Sequence, residues 1–234
     1  MPREIKTPWG SITPQVSLFP IYYLFFIYGF VYILPYGKEL IGVSWFDWLR
    51  SEDGPLEWIQ FAEYLISSFL AFLIFFMKKK KKELNSLIWL LIAILSFVVA
   101  GEEISWGERV TGISIDMISG INVQGETNIH NLPFFHNYLL DPVFEVICIF
   151  LGWVGWKRFK GFESLPNKKL SLFFLFVARV YFYFDISWAS TTEQIRNDQE
   201  IFEFLLSTGI FIHCFRNFRK LEFGKLFKKK IDVI

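Results

Sequence analysis

Cysteine is nearly absent. The chain has two in 234 residues, Cys148 and Cys214, and both lie inside apolar runs, which excludes a disulfide framework. Histidine is scarce as well, with three residues, and neither HExxH nor HxxxH occurs. Charge of one sign is not in excess: the net charge is +1, so bulk electrostatics implies no nucleic-acid partner. Charged residues make up 20% of the chain, below the roughly 25% of soluble domains. There is no internal repeat.

What is present is apolar and aromatic. Hydrophobic residues reach 53% and aromatics 20%, with 29 Phe and 9 Trp. They gather in runs of roughly 15–22 residues, the length of a membrane span. This excludes a soluble enzyme, a disordered chain and a collagen-like array. In lipid such runs are helices, because no water satisfies the backbone. The sequence therefore predicts an all-α integral membrane protein: one domain over 1–234, a bundle of six transmembrane helices at about 16–35, 56–77, 84–100, 138–156, 170–189 and 201–215. The first run is longer than a secretory h-region and lacks small residues at an A-x-A spacing after it, so it is read as a span.

Lys and Arg set the orientation. Segments 1–15, 77–86, 156–169 and 216–234 hold 2, 5, 5 and 7 basic residues, 19 of the 24. The expected topology is N-in/C-in. Only Glu4, Glu83, Glu163, Glu222 and Asp232 lie inside; the other 18 of 23 acids lie in outer loops or spans. The Lys runs also suit anionic lipid.

Four polar clusters share the outer depth. The first, Glu52-Asp53-Gly54-Pro55-Leu56-Glu57-Trp58, is turn chemistry leading into span two, where acids favour a helix start. Gln60 and Glu63 lie one to two turns inside that span, on one face, where ionisable groups line a bundle interior or a water-filled cavity.

The second cluster, Gly101-Glu102-Glu103-Ile104-Ser105-Trp106-Gly107-Glu108-Arg109, follows span three with no polar spacer. A continuing helix would put Glu102, Trp106 and Arg109 on one face. Adjacent Glu102 and Glu103 repel, so one of them needs a cation, a metal or a proton. The plainer reading is a Glu102–Arg109 or Glu103–Arg109 ion pair.

In the third cluster Asn122, Gln124, Glu126, Asn128 and His130 recur at period two. An extended segment would place all five on one side, as head-group ligands. His136 follows. Two imidazoles among carboxylates are compatible with a divalent metal ion held by His130, His136, Glu103 and Asp185.

The fourth cluster lies in the spans. Asp141 and Glu145 are four apart on span four, with Asp141-Pro142 reading as an N-cap and first helical residue. Cys148 and Gly152 continue their stripe. Tyr181, Asp185 and Trp188 share a face of span five. Arg179 sits near mid-bilayer and wants a partner, Glu63 or Glu145, or a substrate phosphate. His213 reads as interfacial, near the inner end of span six.

The stretches Glu102 to Arg109, Asn122-x-Gln124-x-Glu126-x-Asn128-x-His130-Asn131 and Glu52-Asp53-Gly54-x-x-Glu57-Trp58 resemble the pattern of a group of uncharacterised bacterial polytopic membrane proteins. The resemblance covers roughly residues 50–140. It implies an inner-membrane protein and carries no activity. CAAX-type intramembrane proteases also carry a Glu-Glu pair before an Arg, at a shorter spacing than Glu103 to Arg109, and with later His motifs that are missing here. The paired His of alkaline-ceramidase and adiponectin-receptor-like hydrolases is absent too.

The leading expectation is an outward-facing hydrolase or transferase acting on a lipid or lipid-linked substrate. Glu102, Glu103, Glu126 and His130 would be catalytic. Asn122, Gln124, Asn128, Arg109 and Arg179 would bind substrate. A metal would activate water; without one, a Glu would serve as general acid or base. The alternatives are an ion-coupled transporter whose pathway Glu63, Glu145, Asp185 and Arg179 would line, a polyprenyl-linked sugar transferase, and an accessory subunit with a membrane partner. The expected partners are membrane lipids and a second copy or a partner subunit.

Overall fold

The computed structural model describes residues 13–33, 36–51, 54–78, 84–122, 125–130, 132–134, 139–186 and 199–231. Among them every regular element is helical. Helix α1 (Pro14–Leu24) is capped by Thr13, whose hydroxyl accepts from the Val16 amide. It passes into a π-helical stretch, Phe25–Ile33. Two short helices follow, α2 (Gly37–Ile41) and α3 (Val43–Leu49).

Helix α4 (Pro55–Lys78) starts at the predicted proline, where a missing amide costs nothing. Helix α5 (Leu84–Glu103) packs against it. These two, of 24 and 20 residues, are long and apolar enough to cross a membrane. At 1.5 Å per residue they reach about 36 and 30 Å. Their outward faces stay apolar: Leu65, Phe69, Phe72 and Phe76 on α4 and Leu87, Leu91, Ile94 and Phe97 on α5 are exposed.

Two one-turn helices, α6 (Glu108–Thr111) and α7 (Asp116–Ser119), lie in the loop after α5. Helix α8 (Leu140–Ile149) continues through π-helical Phe150–Val154 into α9 (Gly155–Arg158). Because α8 begins at Leu140 with Leu139 at its cap, Asp141 lies in the first turn and not at the expected N-cap. Helix α10 (Ser171–Ile186) follows a 3-10 turn capped by Asn167. Helix α11 (Gln199–Ile231) is longer than the predicted apolar segment 201–215 and runs on through the basic C-terminal stretch.

The packing order is α5, α4, α11, α10, α8, with α1 against α10. Small residues permit the closest crossings. A Cβ on Gly209 of α11 would stand 2.8 Å from the Phe173 Cβ of α10. Three apolar clusters fill the interior. Cys148, Phe173, Phe174, Val177, Tyr181 and Leu205 join α8, α10 and α11. Ile27, Phe46, Leu56, Ile201 and Phe202 lie under α3. Leu70, Ala71, Ile74, Trp89, Ala93 and Cys214 seal one half of the α4–α5–α11 interface.

The far end of that half is stitched by polar contacts. Glu163 accepts from Lys78 at 2.5 Å and Lys220 at 3.1 Å, tying the loop before α10 to α4 and α11. The lysine hydrogen bonds, Lys78 first, hold the Glu163 carboxyl below the ordinary value near 4.5. His213, read as interfacial, is buried among the side chains of this end. It stacks on Trp89 with ring centroids 5.1 Å apart, meets the Ser164 carbonyl at 3.0 Å and pairs with Asn217.

Candidate functional site

At the opposite end of the α4–α5–α11 interface, α5 stops at Glu103. The expected continuous helix does not form, because Ser105, Trp106 and Gly107 take positive φ values of 47°, 53° and 94°. Three such residues in a row reverse the chain, and only glycine adopts that region freely. The strain at the other two is held by side chains. Ser105 Oγ donates to Glu126 at 2.7 Å, and Trp106 Nε1 donates to Glu102.

The reversal folds Arg109 back over the bundle end. Its Nη1 meets the Glu57 carboxylate at 2.5 Å and donates to the Glu103 carbonyl at 3.0 Å; its Nη2 meets Glu126 at 3.3 Å. Arg109 and Glu57 side chains are only 11% and 9% exposed, so this is a desolvated pair. The expected side-chain pairing of Arg109 with Glu102 or Glu103 is replaced. The acid read as a helix-start residue, Glu57, is the partner instead.

The period-two segment is not extended among the described residues; it bends, and its side chains turn on one another. Asn122 Nδ2 donates to the Asn128 carbonyl at 2.9 Å and to its Oδ1 at 2.8 Å. Asn128, fully buried, donates to Glu126 at 2.7 Å. One Glu102 oxygen accepts the Ile129 and His130 amides at 2.7 and 2.9 Å and faces His130 Nδ1 at 3.1 Å. Glu108 accepts the Thr127 amide at 2.6 Å. Carboxylates that take backbone amides fix a loop. The geometry thus makes Glu102, Glu126, Asn122, Asn128 and His130 a clamp that holds the loop after α5 down on that helix.

Beneath the clamp a second acidic group gathers from three helices. Gln60 Nε2 on α4 donates to Glu200 of α11 at 2.8 Å. Glu203 accepts from Tyr181 of α10 and from Gln199 at 2.8 Å. Glu63 accepts from Ser207 at 2.7 Å and Thr208 at 3.0 Å. Glu103 completes the group: it lies within electrostatic reach of Glu203, Glu200, Glu57 and Arg109. Among the described residues it is the one acid of this group whose carboxylate receives no hydrogen bond or ion pair. Tyr64, buried on α4, feels Glu103, Glu203 and Glu63.

Arg179 does not join this group. It is exposed, with its guanidinium 5.7 Å from the Phe182 ring centre. The inward face of α10 is taken by Phe173, Phe174, Val177 and Tyr181, and Arg179 stands two residues from either of the last two, on the other side. Its expected partner Glu63 is already satisfied by α11. Glu145, on α8, is half-buried and makes no ion pair among the described residues. Gln124 and His136 lie outside the described residues, as do the side chains of Asp141 and Asp185. Among the described residues no group of three or more His, Cys, Asp or Glu is placed to hold a metal ion. His130 is turned to Glu102 in the clamp, while Glu103 sits with the acids below.

Glu200, Glu203, Gln199, Ser105 and Tyr64 were not singled out in the sequence. The signal was there for α11: Gln199, Glu200, Glu203 and Ser207 recur at helical spacing at the start of an apolar run. No protein-family model, no curated protein and no solved structure matches the chain.

Proposed function

We propose that this chain is a six-helix inner-membrane protein, N-in/C-in, with an outward-facing acid–base site for a lipid or lipid-linked substrate. The basic end marked by Lys78 and Lys220 and the acidic end at Glu57 and Arg109 lie at opposite ends of α4, which supports the topology. The apolar seal of Leu70, Ile74, Trp89 and Cys214 supports a site that opens to one side only.

The observation that carries the reading is Glu103. It faces three other carboxylates and lacks a hydrogen-bond donor, while Arg109 is already neutralised by Glu57 and Glu126. Such a carboxyl is balanced by a proton or a cation, and it is free to exchange one with a bound substrate. Glu103 is therefore the general acid or base, and Glu57, Glu200 and Glu203 tune it. The clamp positions it. Excess negative charge also disfavours an anionic substrate group at Arg109.

The test is lipid turnover by purified protein in liposomes of bacterial lipid extract, read by mass spectrometry. Wild type is expected to change at least one lipid species, and Glu103→Gln to lose this at least 100-fold, in the range of general acid–base catalysis, while unfolding at the same temperature. Equal turnover by Glu103→Gln would remove Glu103 from the chemistry. No turnover by wild type would favour the second reading, a proton-coupled carrier. The descent from Glu57 through Gln60 to Glu63, Ser207 and Thr208 supports that reading.

A further inference from the structure

Gln60 has a feature that the acid–base reading does not use. It is fully buried, and its amide nitrogen is held by Glu200. Its carbonyl oxygen Oε1 has no hydrogen-bond partner. An unpaired buried acceptor costs roughly 1–3 kcal/mol, so a native site that keeps one has a donor to offer it.

The place of this oxygen follows from the residues around it. Three residues on from Glu57 and four before Tyr64, Gln60 falls on the same face of α4 as both, and both interact electrostatically with Glu103. The third neighbour of Glu103, Glu200, holds the Gln60 amide. The orphaned carbonyl and the donor-less Glu103 carboxylate therefore lie at one level between α4, α5 and α11. The surroundings supply acceptors and negative charge: Glu57 is spent on Arg109, and Glu203 is taken up with Tyr181 and Gln199.

We infer that this level of the bundle binds a primary ammonium group, with Glu103 and the Gln60 carbonyl accepting its N–H bonds. The inference rests on the reading of Glu103 as an unneutralised acid facing the outer side. A primary ammonium brings one positive charge and three donors, which matches one free carboxylate plus one free carbonyl. A quaternary ammonium brings the charge without donors and leaves Gln60 unsatisfied. A divalent ion prefers six or more oxygens converging on one point, and the carboxylates around Glu103 are each turned to their own donors. The ammonium can belong to an aminoalkyl lipid head group or to a free amine.

The experiment is thermal unfolding of the full chain in mild detergent with ethanolamine, choline or calcium chloride, then in nanodiscs with and without phosphatidylethanolamine. Ethanolamine at about ten times its Kd is expected to raise the midpoint by roughly 3 °C, and choline to leave it unchanged. Glu103→Gln and Gln60→Met are each expected to abolish the shift. A further rise in phosphatidylethanolamine nanodiscs assigns the head group; a response to free ethanolamine alone assigns a soluble amine. Equal shifts with ethanolamine and choline, a shift with calcium only, or none with any probe would each overturn the inference, and the wild type alone decides this should a variant fail to fold. The two readings fail separately. Turnover of lipids without amines leaves the enzyme standing without the amine site, and amine binding without turnover does the reverse.

Discussion

Arg109 and Glu103 carry opposite assignments although they lie six residues apart and touch. Arg109 meets Glu57 and Glu126 and caps the Glu103 carbonyl, so its charge is consumed by structure. Replacing it leaves two carboxylates without their cation in a desolvated place, a loss of about 3–5 kcal/mol. Arg109→Ala is therefore expected to be among the most destabilising single changes in the chain. Denaturant unfolding in detergent measures it, and a loss below about 1 kcal/mol, the range of an exposed pair, would contradict the burial argument. The Glu103 carboxylate accepts no hydrogen bond, so Glu103→Gln removes repulsion, keeps the backbone carbonyl that Arg109 caps, and leaves stability unharmed.

At the level of elements, one crossing and one turn set the site. The α10–α11 crossing at Gly209 brings Tyr181 close enough to reach Glu203. Gly209→Val pushes its new methyl groups into Phe173 and is expected to cost about 1–3 kcal/mol. The Tyr181–Glu203 contact would loosen with it. The check is the unfolding midpoint beside that of Gly161→Ala, where a Cβ meets nothing within 4 Å and the cost comes from the backbone alone, at φ 98°. The turn at 105–107 decides the clamp. Sequence periodicity there speaks for helix, and the helix would send Arg109 along α5 and away from Glu57. The turn prevails because Glu126 and Glu102 reward it with hydrogen bonds from residues that are distant in the chain.

For the whole molecule the two ends of the bundle differ in chemistry. One end joins Lys78, Glu163 and Lys220; the other carries the clamp and the acids. With the N-in/C-in topology, a cysteine at exposed Val110 is labelled on intact cells by a membrane-impermeant maleimide. A cysteine at Lys220 is labelled only after permeabilisation. The native Cys148 and Cys214 are buried and give little background. The reverse pattern would invert the proposed orientation. The basic end also predicts a pH effect. The folded-state value of Glu163 lies below its unfolded value near 4.5, so its contribution is complete above that value and fades as pH falls through the folded one. Midpoints between about pH 6 and pH 3 should fall less steeply in Glu163→Gln than in wild type; equal slopes would discount the Lys78 and Lys220 contacts.

Depth along each helix was readable from the chain alone, because rise per residue turns sequence position directly into height. That is why Gln60, Glu63, Glu102 and Glu103 share one end of the bundle in the sequence reading as in the structure, and why the all-helical class follows from run length. Which acids meet was decided only in three dimensions. Glu57, Glu103 and Glu200 are far apart in sequence, and their meeting depends on how each helix is rotated about its axis, about 100° per residue. Packing against neighbours sets that rotation. The same reason sent Arg179 outward to Phe182 and brought Glu103 within electrostatic reach of Glu57, Glu200 and Glu203.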